Sequence, residues 1–125
     1  MRGTRAGAER PAPAPLVEAA LREAVAGGAA VVLTTGGTGL TPTDGTPEAT
    51  RAVIDREVPG IAEAIRSAGV DAGVPTAMLS RGVAGLSGRT LIVNVPGSIG
   101  GVRDALQVIA PVLTHAVSQI AGGDH

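Results

Sequence analysis

The spacing of apolar positions divides the chain into helix-like and strand-like stretches. Val17, Ala20, Leu21, Ala24 and Val25 recur at i, i+3, i+4, i+7 and i+8, which puts them on one face of a helix. Gly27 and Gly28 stop that helix. "AAVVLTT" follows, β-branched and apolar without alternation, as expected of a strand buried on both faces in a parallel sheet. A glycine-rich loop comes next. Thr46-Pro47-Glu48 then predicts a helix start, with Thr46 as N-cap, Pro47 at the first helical position and Glu48 in the first turn. That helix is predicted to run to about Val58. A second helical stretch opens at Pro59, carries Ile61 and Ile65, and ends at Gly69. Residues 70–89 show no decisive period: "TAMLS" fits a strand or a short helix, and "GLSGR" a turn. "TLIVNVPGS" is a second buried strand, ended by Pro96-Gly97. Val102, Ala105, Leu106, Ile109, Leu113, Ala116, Val117 and Ile120 then keep helical spacing through a long last helix, which Pro111 should kink.

Strand–helix alternation of this kind predicts an α/β domain with a mainly parallel sheet. In such sheets ligands sit beyond the carboxyl ends of the strands. The loops after Thr35 and after Val95 both lie at such ends, so they are expected to share one site. Residues 1–15, proline-rich and without hydrophobic period, are expected to be a disordered tail, leaving 16–125 as the domain.

Composition narrows the chemistry. A chain of 125 residues suits one small domain. The net charge is -1 and the arginines are scattered, so no nucleic-acid partner is expected. There is no cysteine, hence no disulfide and no thiolate metal site. No apolar run approaches the roughly 20 residues of a membrane helix, and the first residues do not read as a signal peptide. A cytoplasmic protein with no membrane partner is the expectation. Aromatic content is 0%, so a bound heterocycle would have to lie on aliphatic side chains or backbone. All ten basic residues are arginines, which excludes the Walker A lysine and Schiff-base chemistry.

The densest stretch is "TTGGTGLTPTDGTPEAT", residues 34–50. Its glycines let backbone approach a ligand and offer amides to an anion, and the helix start after it adds partial positive charge. A phosphate or pyrophosphate is a plausible guest. Asp44 would repel a bare phosphate but suits a Mg²⁺ bridging carboxylate and phosphate oxygens. The alternative is that the glycines only make a tight strand-to-helix turn; composition leaves both open. The dinucleotide fingerprint fits poorly, since Gly37-Thr38-Gly39 is followed by Pro42 where a third glycine belongs.

"TTGGTGLTPTDGTPEATRAVIDREVPG", "LSRGVAG" and "TLIVNVPGSIGGVRDAL" together resemble the molybdopterin adenylyltransferase family of molybdenum-cofactor biosynthesis (MogA/MoaB type) over about residues 16–125. The resemblance implies a three-layer α/β/α sandwich and a homo-oligomer, a trimer. It implies transfer of AMP from Mg-ATP to the terminal phosphate of molybdopterin, with a molybdenum-insertion protein as a further partner. Carried over by position, Gly36, Gly37, Thr38 and Gly39 would cradle phosphate. Asp44 would hold Mg²⁺ or position the reacting phosphates. Ser80, Arg81, Asn94, Pro96, Gly97 and Ser98 would contact the pterin or its phosphate. Each has a plainer reading: Ser98 as a helix cap, Arg81 as a solvated arginine, Asn94 as a turn residue, Glu48 as a dipole partner. His115 is expected to pack on the apolar face of the last helix, and Asp124 and His125 to fray. Family members carry a further N-terminal segment with a first strand and an acid-bearing loop, and "MRGTRAGAERPAPAP" does not resemble it. The expectation is therefore a fold lacking the family's first strands, with an open edge on the "VVLTT" strand, low stability and at best weak transfer. The alternative function is a non-catalytic molybdopterin- or nucleotide-binding module.

Overall fold

The computed structural model describes residues 12–123. In chain order the elements are α1 (Ala14–Ala26), β1 (Val31–Thr35), α2 (Thr46–Arg51), β2 (Arg56–Glu57), α3 (Pro59–Asp71), a 3-10 turn (Pro75–Leu79), β3 (Ala84–Ser87), β4 (Thr90–Val95) and α4 (Ile99–Ile120). The expected tail falls mostly on residues 1–11, which lie outside the described residues, as do Asp124 and His125. α1 begins two residues before the expected domain start, with Pro15 in its first turn.

The strands form one sheet in the order β1-β4-β3-β2. β1 and β4 are parallel, with Val31 opposite Leu91 and Thr35 opposite Val95. β4 pairs β3 and β3 pairs β2 in antiparallel fashion. The α/β class is as read, but the sheet is mixed, and parallel pairing is confined to β1 and β4. The cause is the Gly88 turn: at φ 58° it lets the chain reverse between β3 and β4. Among the described residues no strand pairs with the far edge of β1.

Every residue of β4 is buried, which its unalternating apolar sequence requires. Leu91, Val93 and Val95 pack with Ile65 of α3 and Ala105 and Ile109 of α4. Ile92 faces the other way, onto Val32, Val53 and Leu21 of α1. Helices therefore cover both faces and the domain has three layers. Each fully buried side chain of this size contributes about 1.5–3 kcal/mol, so the two clusters, joined through β4, fix where the strand ends lie.

Two local expectations change. α2 ends at Arg51 instead of continuing to about Val58. Residues beyond it are taken by the sheet: Asp55 N–H donates to the Leu86 carbonyl at 2.7 Å and Val58 N–H to the Ala84 carbonyl at 2.8 Å. Gly85 makes this pairing possible, because a Cβ there would stand 2.6 Å from the Arg56 carbonyl oxygen. His115 is exposed on α4, while its neighbours Leu113 and Ala116 turn toward the core. Pro111 stands inside α4 without ending it.

Candidate functional site

Because β1 and β4 are parallel neighbours, the loops that leave them emerge side by side. Gly36 and Gly37 turn away from β1 with φ 84° and 71°, a conformation that side chains rarely adopt. Gly36 N–H donates to the Val95 carbonyl at 3.0 Å, which ties the first loop to the end of β4. Gly97 faces Gly36 so closely that a Cβ on it would lie 3.0 Å from the Gly36 Cα. Among the described residues the backbone N–H groups of Gly37, Thr38, Gly39 and Leu40 donate to no protein acceptor, and neither do those of Gly97, Ser98, Ile99 and Gly100. Two runs of open donors thus meet at one end of the sheet. This is the arrangement an anion binds.

Arg81 fixes the shape of the first loop. Its Nε donates to the Gly39 carbonyl at 2.8 Å and its Nη2 to the Asp44 carbonyl at 2.7 Å. Nη1 and Nη2 also reach the two carboxylate oxygens of Glu48, at 2.6 and 3.3 Å. Its own N–H bonds the Thr38 carbonyl at 2.8 Å. The hydrogen bond from Arg81 holds the Glu48 carboxyl below its ordinary range, and the same bond raises the Arg81 guanidinium. Arg81 is not the solvated surface arginine of the plainer reading. It clamps the loop around residues 38–48.

Asp44 closes a turn within that loop. Its Oδ2 accepts from Thr41 N–H at 3.0 Å and from the Thr41 hydroxyl at 2.8 Å. Oδ1 accepts nothing from the described residues. Thr46, expected as N-cap, is instead the first residue of α2, with Gly45 before it, and its N–H donates to the Gly37 carbonyl at 3.1 Å. Ser98 caps α4 by accepting from Gly101 N–H at 3.0 Å, which bears out its plainer reading.

Asn94 lies inside the molecule. Its Oδ1 accepts from Val83 N–H at 3.0 Å, and its Nδ2 donates to the hydroxyls of Thr34 and Thr50, both at 2.9 Å. It joins β1, β4 and α2 beneath the loops and is 3% exposed.

Beside the loops is a cavity of about 510 Å³ between α3, the 3-10 turn and the start of α4. Of the residues expected at a site, Thr38, Gly39, Ser80, Pro96, Gly97 and Ser98 line it. Gly36, Gly37, Asp44, Arg81 and Asn94 stand around or behind it. Its apolar walls are aliphatic, from Ile65, Ala72, Val74, Ala77 and Leu79. Arg66, Thr76 and Asp104 also line it, and sequence reasoning missed them. Arg66 and Asp104 sit on helices whose apolar spacing drew the attention. Thr76 sits in the segment without a period. The volume lies within the usual range of small-molecule sites, roughly 300–1,000 Å³.

Residues 12–115 match the family model described as "Probable molybdopterin binding domain". The chain belongs to that family. It is 41% identical over 92 residues to the molybdopterin adenylyltransferase of Helicobacter pylori (strain J99), a match covering 74% of this chain and 52% of that protein. It is 44% identical over 90 residues to gephyrin of Dictyostelium discoideum, covering 72% of this chain and 12% of that one. Among solved structures, the molybdopterin biosynthesis Mog protein of Mycobacterium ulcerans superposes with a TM-score of 0.85 at 55% identity, over 88% of this chain and 72% of that chain. The matches therefore span about half, or less, of these two curated relatives. The family model, the Helicobacter pylori enzyme and the Mycobacterium ulcerans protein are all named for molybdopterin, its binding or its biosynthesis.

Proposed function

We propose that this family member binds molybdopterin at the paired glycine loops and transfers AMP to its terminal phosphate from Mg-ATP. The observation that carries the reading is the convergence of two runs of open backbone donors, Gly37 to Leu40 and Gly97 to Gly100, beside a cavity with aliphatic walls. In the reaction an oxygen of the molybdopterin phosphate attacks the α-phosphorus of ATP. A new phosphoanhydride bond forms, and pyrophosphate leaves with the electron pair of the broken P–O bond. No covalent nucleophile from the protein is required. The chain's contribution is positioning and charge stabilisation by preorganised amides, which lose little reorganisation energy as charge shifts.

No group of three or more metal-ligating side chains is present among the described residues. A single carboxylate suits Mg²⁺, which keeps waters and takes its remaining ligands from substrate phosphates. Asp44 would hold that ion through Oδ1, the oxygen its own turn leaves open. The ion supplies charge neutralisation at the phosphates. Arg81, itself paired with Glu48, holds the backbone of Asp44 through its carbonyl. The exposed Ile99, Met78, Leu106 and Val112 support a homo-oligomer, which we take to be a trimer acting in the cytoplasm. A molybdenum-insertion protein would then receive the product.

Titration calorimetry with molybdopterin, and with ATP in the presence and absence of Mg²⁺, tests the reading. Saturable molybdopterin binding with Mg²⁺-dependent ATP binding is expected. Failure to bind molybdopterin would sink it, and molybdopterin binding without ATP binding would favour a non-catalytic module.

A further inference from the structure

Two charged side chains line the cavity, and they differ in what they can offer a ligand. Arg66 is engaged: its Nη1 donates to the carbonyls of Ser80 at 3.3 Å and Gly82 at 3.0 Å. Asp104, in the second turn of α4, has no ion pair and accepts no hydrogen bond from the described residues. It is half-buried, in a cavity whose apolar wall includes Ile65 and Ala77. A carboxylate there gives up part of its hydration without protein donors in return. Such a group is matched to donors that arrive with a ligand.

The reading proposed above supplies a heterocycle with the right edge. A 2-amino-4-oxopteridine presents N3–H and an amino N–H side by side, two parallel donors for the two oxygens of one carboxylate. The amino edge of adenine presents one donor next to the N1 lone pair, which would face the second carboxylate oxygen. We infer that Asp104 is a specificity-determining residue that reads the 2-amino, N3–H edge of the pterin, so that this cavity takes the pterin head and not the adenine of the nucleotide. The inference rests on the molybdopterin reading of the site. Spacing agrees with it. Asp104 follows the capping Ser98 by six residues along α4, a rise of about 9 Å at 1.5 Å per residue. That is the order of length of a fused pterin carrying a short phosphorylated arm. The ring edge would meet Asp104 while the phosphate reaches the open amides around Ser98 and Thr38.

The chain has no tryptophan, tyrosine or phenylalanine, so pterin fluorescence can be followed without protein emission. The probes are pterin and lumazine, its 2,4-dioxo counterpart, which places a carbonyl where the amino group would be. They are titrated into the wild type, Asp104→Asn and Asp104→Glu, with ATP binding measured alongside and circular dichroism as a check on folding. The wild type is expected to prefer pterin over lumazine by at least about tenfold. Asp104→Asn should lose most of that preference, because its amide can face the lumazine carbonyl with a donor. Asp104→Glu, which keeps both oxygens, should retain part of it, and ATP affinity should stay unchanged in all three. No preference in the wild type, or an equal preference in Asp104→Asn, would overturn the inference. Failure of molybdopterin itself to bind the wild type would instead count against the proposed function, so the two failures are distinguishable.

Discussion

Replacing Arg81 is the perturbation whose size can be worked out most fully from the structure. Its guanidinium donates to the carbonyls of Gly39 and Asp44 at 2.8 and 2.7 Å, and pairs with Glu48. Hydrogen bonds from a charged donor are worth about 1.5–3 kcal/mol each when shielded. The Arg81 side chain is 35% exposed, so solvent screening brings this down to about 1–1.5 kcal/mol for each carbonyl. The Glu48 carboxylate is 60% exposed, and an ion pair of that kind adds at most about 0.5–1 kcal/mol. Arg81→Ala should therefore cost about 2.5–4 kcal/mol. Arg81→Lys keeps the charge, but its single ammonium cannot span both carbonyls, so it should lose about 1.5–2 kcal/mol. For a domain of this size each kcal/mol shifts Tm by about 3–5 °C, and Arg81→Ala should melt about 8–20 °C lower. Urea unfolding followed by circular dichroism measures the loss, and limited proteolysis reports whether the loop over residues 36–44 opens. An Arg81→Ala protein within about 0.5 kcal/mol of wild type, but defective in ligand binding, would refute the clamp and make Arg81 a ligand contact.

Three further outcomes follow from the same geometry. Asn94→Leu leaves the buried Val83 N–H and the hydroxyls of Thr34 and Thr50 without their shared partner, and should cost about 2–4 kcal/mol in urea unfolding. Gly97→Ala brings a methyl to 3.0 Å from the Gly36 Cα; calorimetry should show molybdopterin binding at least about tenfold weaker with stability reduced by less than about 1.5 kcal/mol. Glu48 is held below its ordinary carboxyl value by Arg81, so its stabilising pair is fully present above the unfolded-state pKa and is lost as pH falls through the lower, folded value. Stability curves should show an acid-side decline that is shallower in Glu48→Gln.

The sequence made the parallel pair legible. "AAVVLTT" and "TLIVNVPGS" are long, apolar and β-branched, and both fold as the strands that place the two loops together. The antiparallel half of the sheet was harder to see. β2 is two exposed residues, Arg56 and Glu57, with no pattern of their own. They become a strand only because Gly85 lets the neighbouring chain close in. Helical propensity carried the reading past Arg51 for the same reason: the pairing that ends α2 is tertiary. At the site, the glycine loops and Ser98 could be read from local chemistry. Arg81 and Asn94 could be singled out by resemblance, but, Val83 apart, the partners of their side chains lie 33 to 60 residues away in the chain, and distance in sequence hides such roles. Asp104 stood in a helical run read for its apolar face, so its position on the cavity wall was invisible.

The central claim is that the loops ending β1 and β4 bring a metal-bound nucleotide and molybdopterin together at Asp44. The most direct measurement is AMP transfer from ATP labelled at the α-phosphate to molybdopterin, by the full chain and by Asp44→Asn, with binding confirmed for both. The account predicts labelled adenylylated molybdopterin and pyrophosphate from the wild type, and none from Asp44→Asn despite retained molybdopterin binding. Undiminished transfer by Asp44→Asn, or no transfer by a wild-type protein saturated with both substrates, would contradict it.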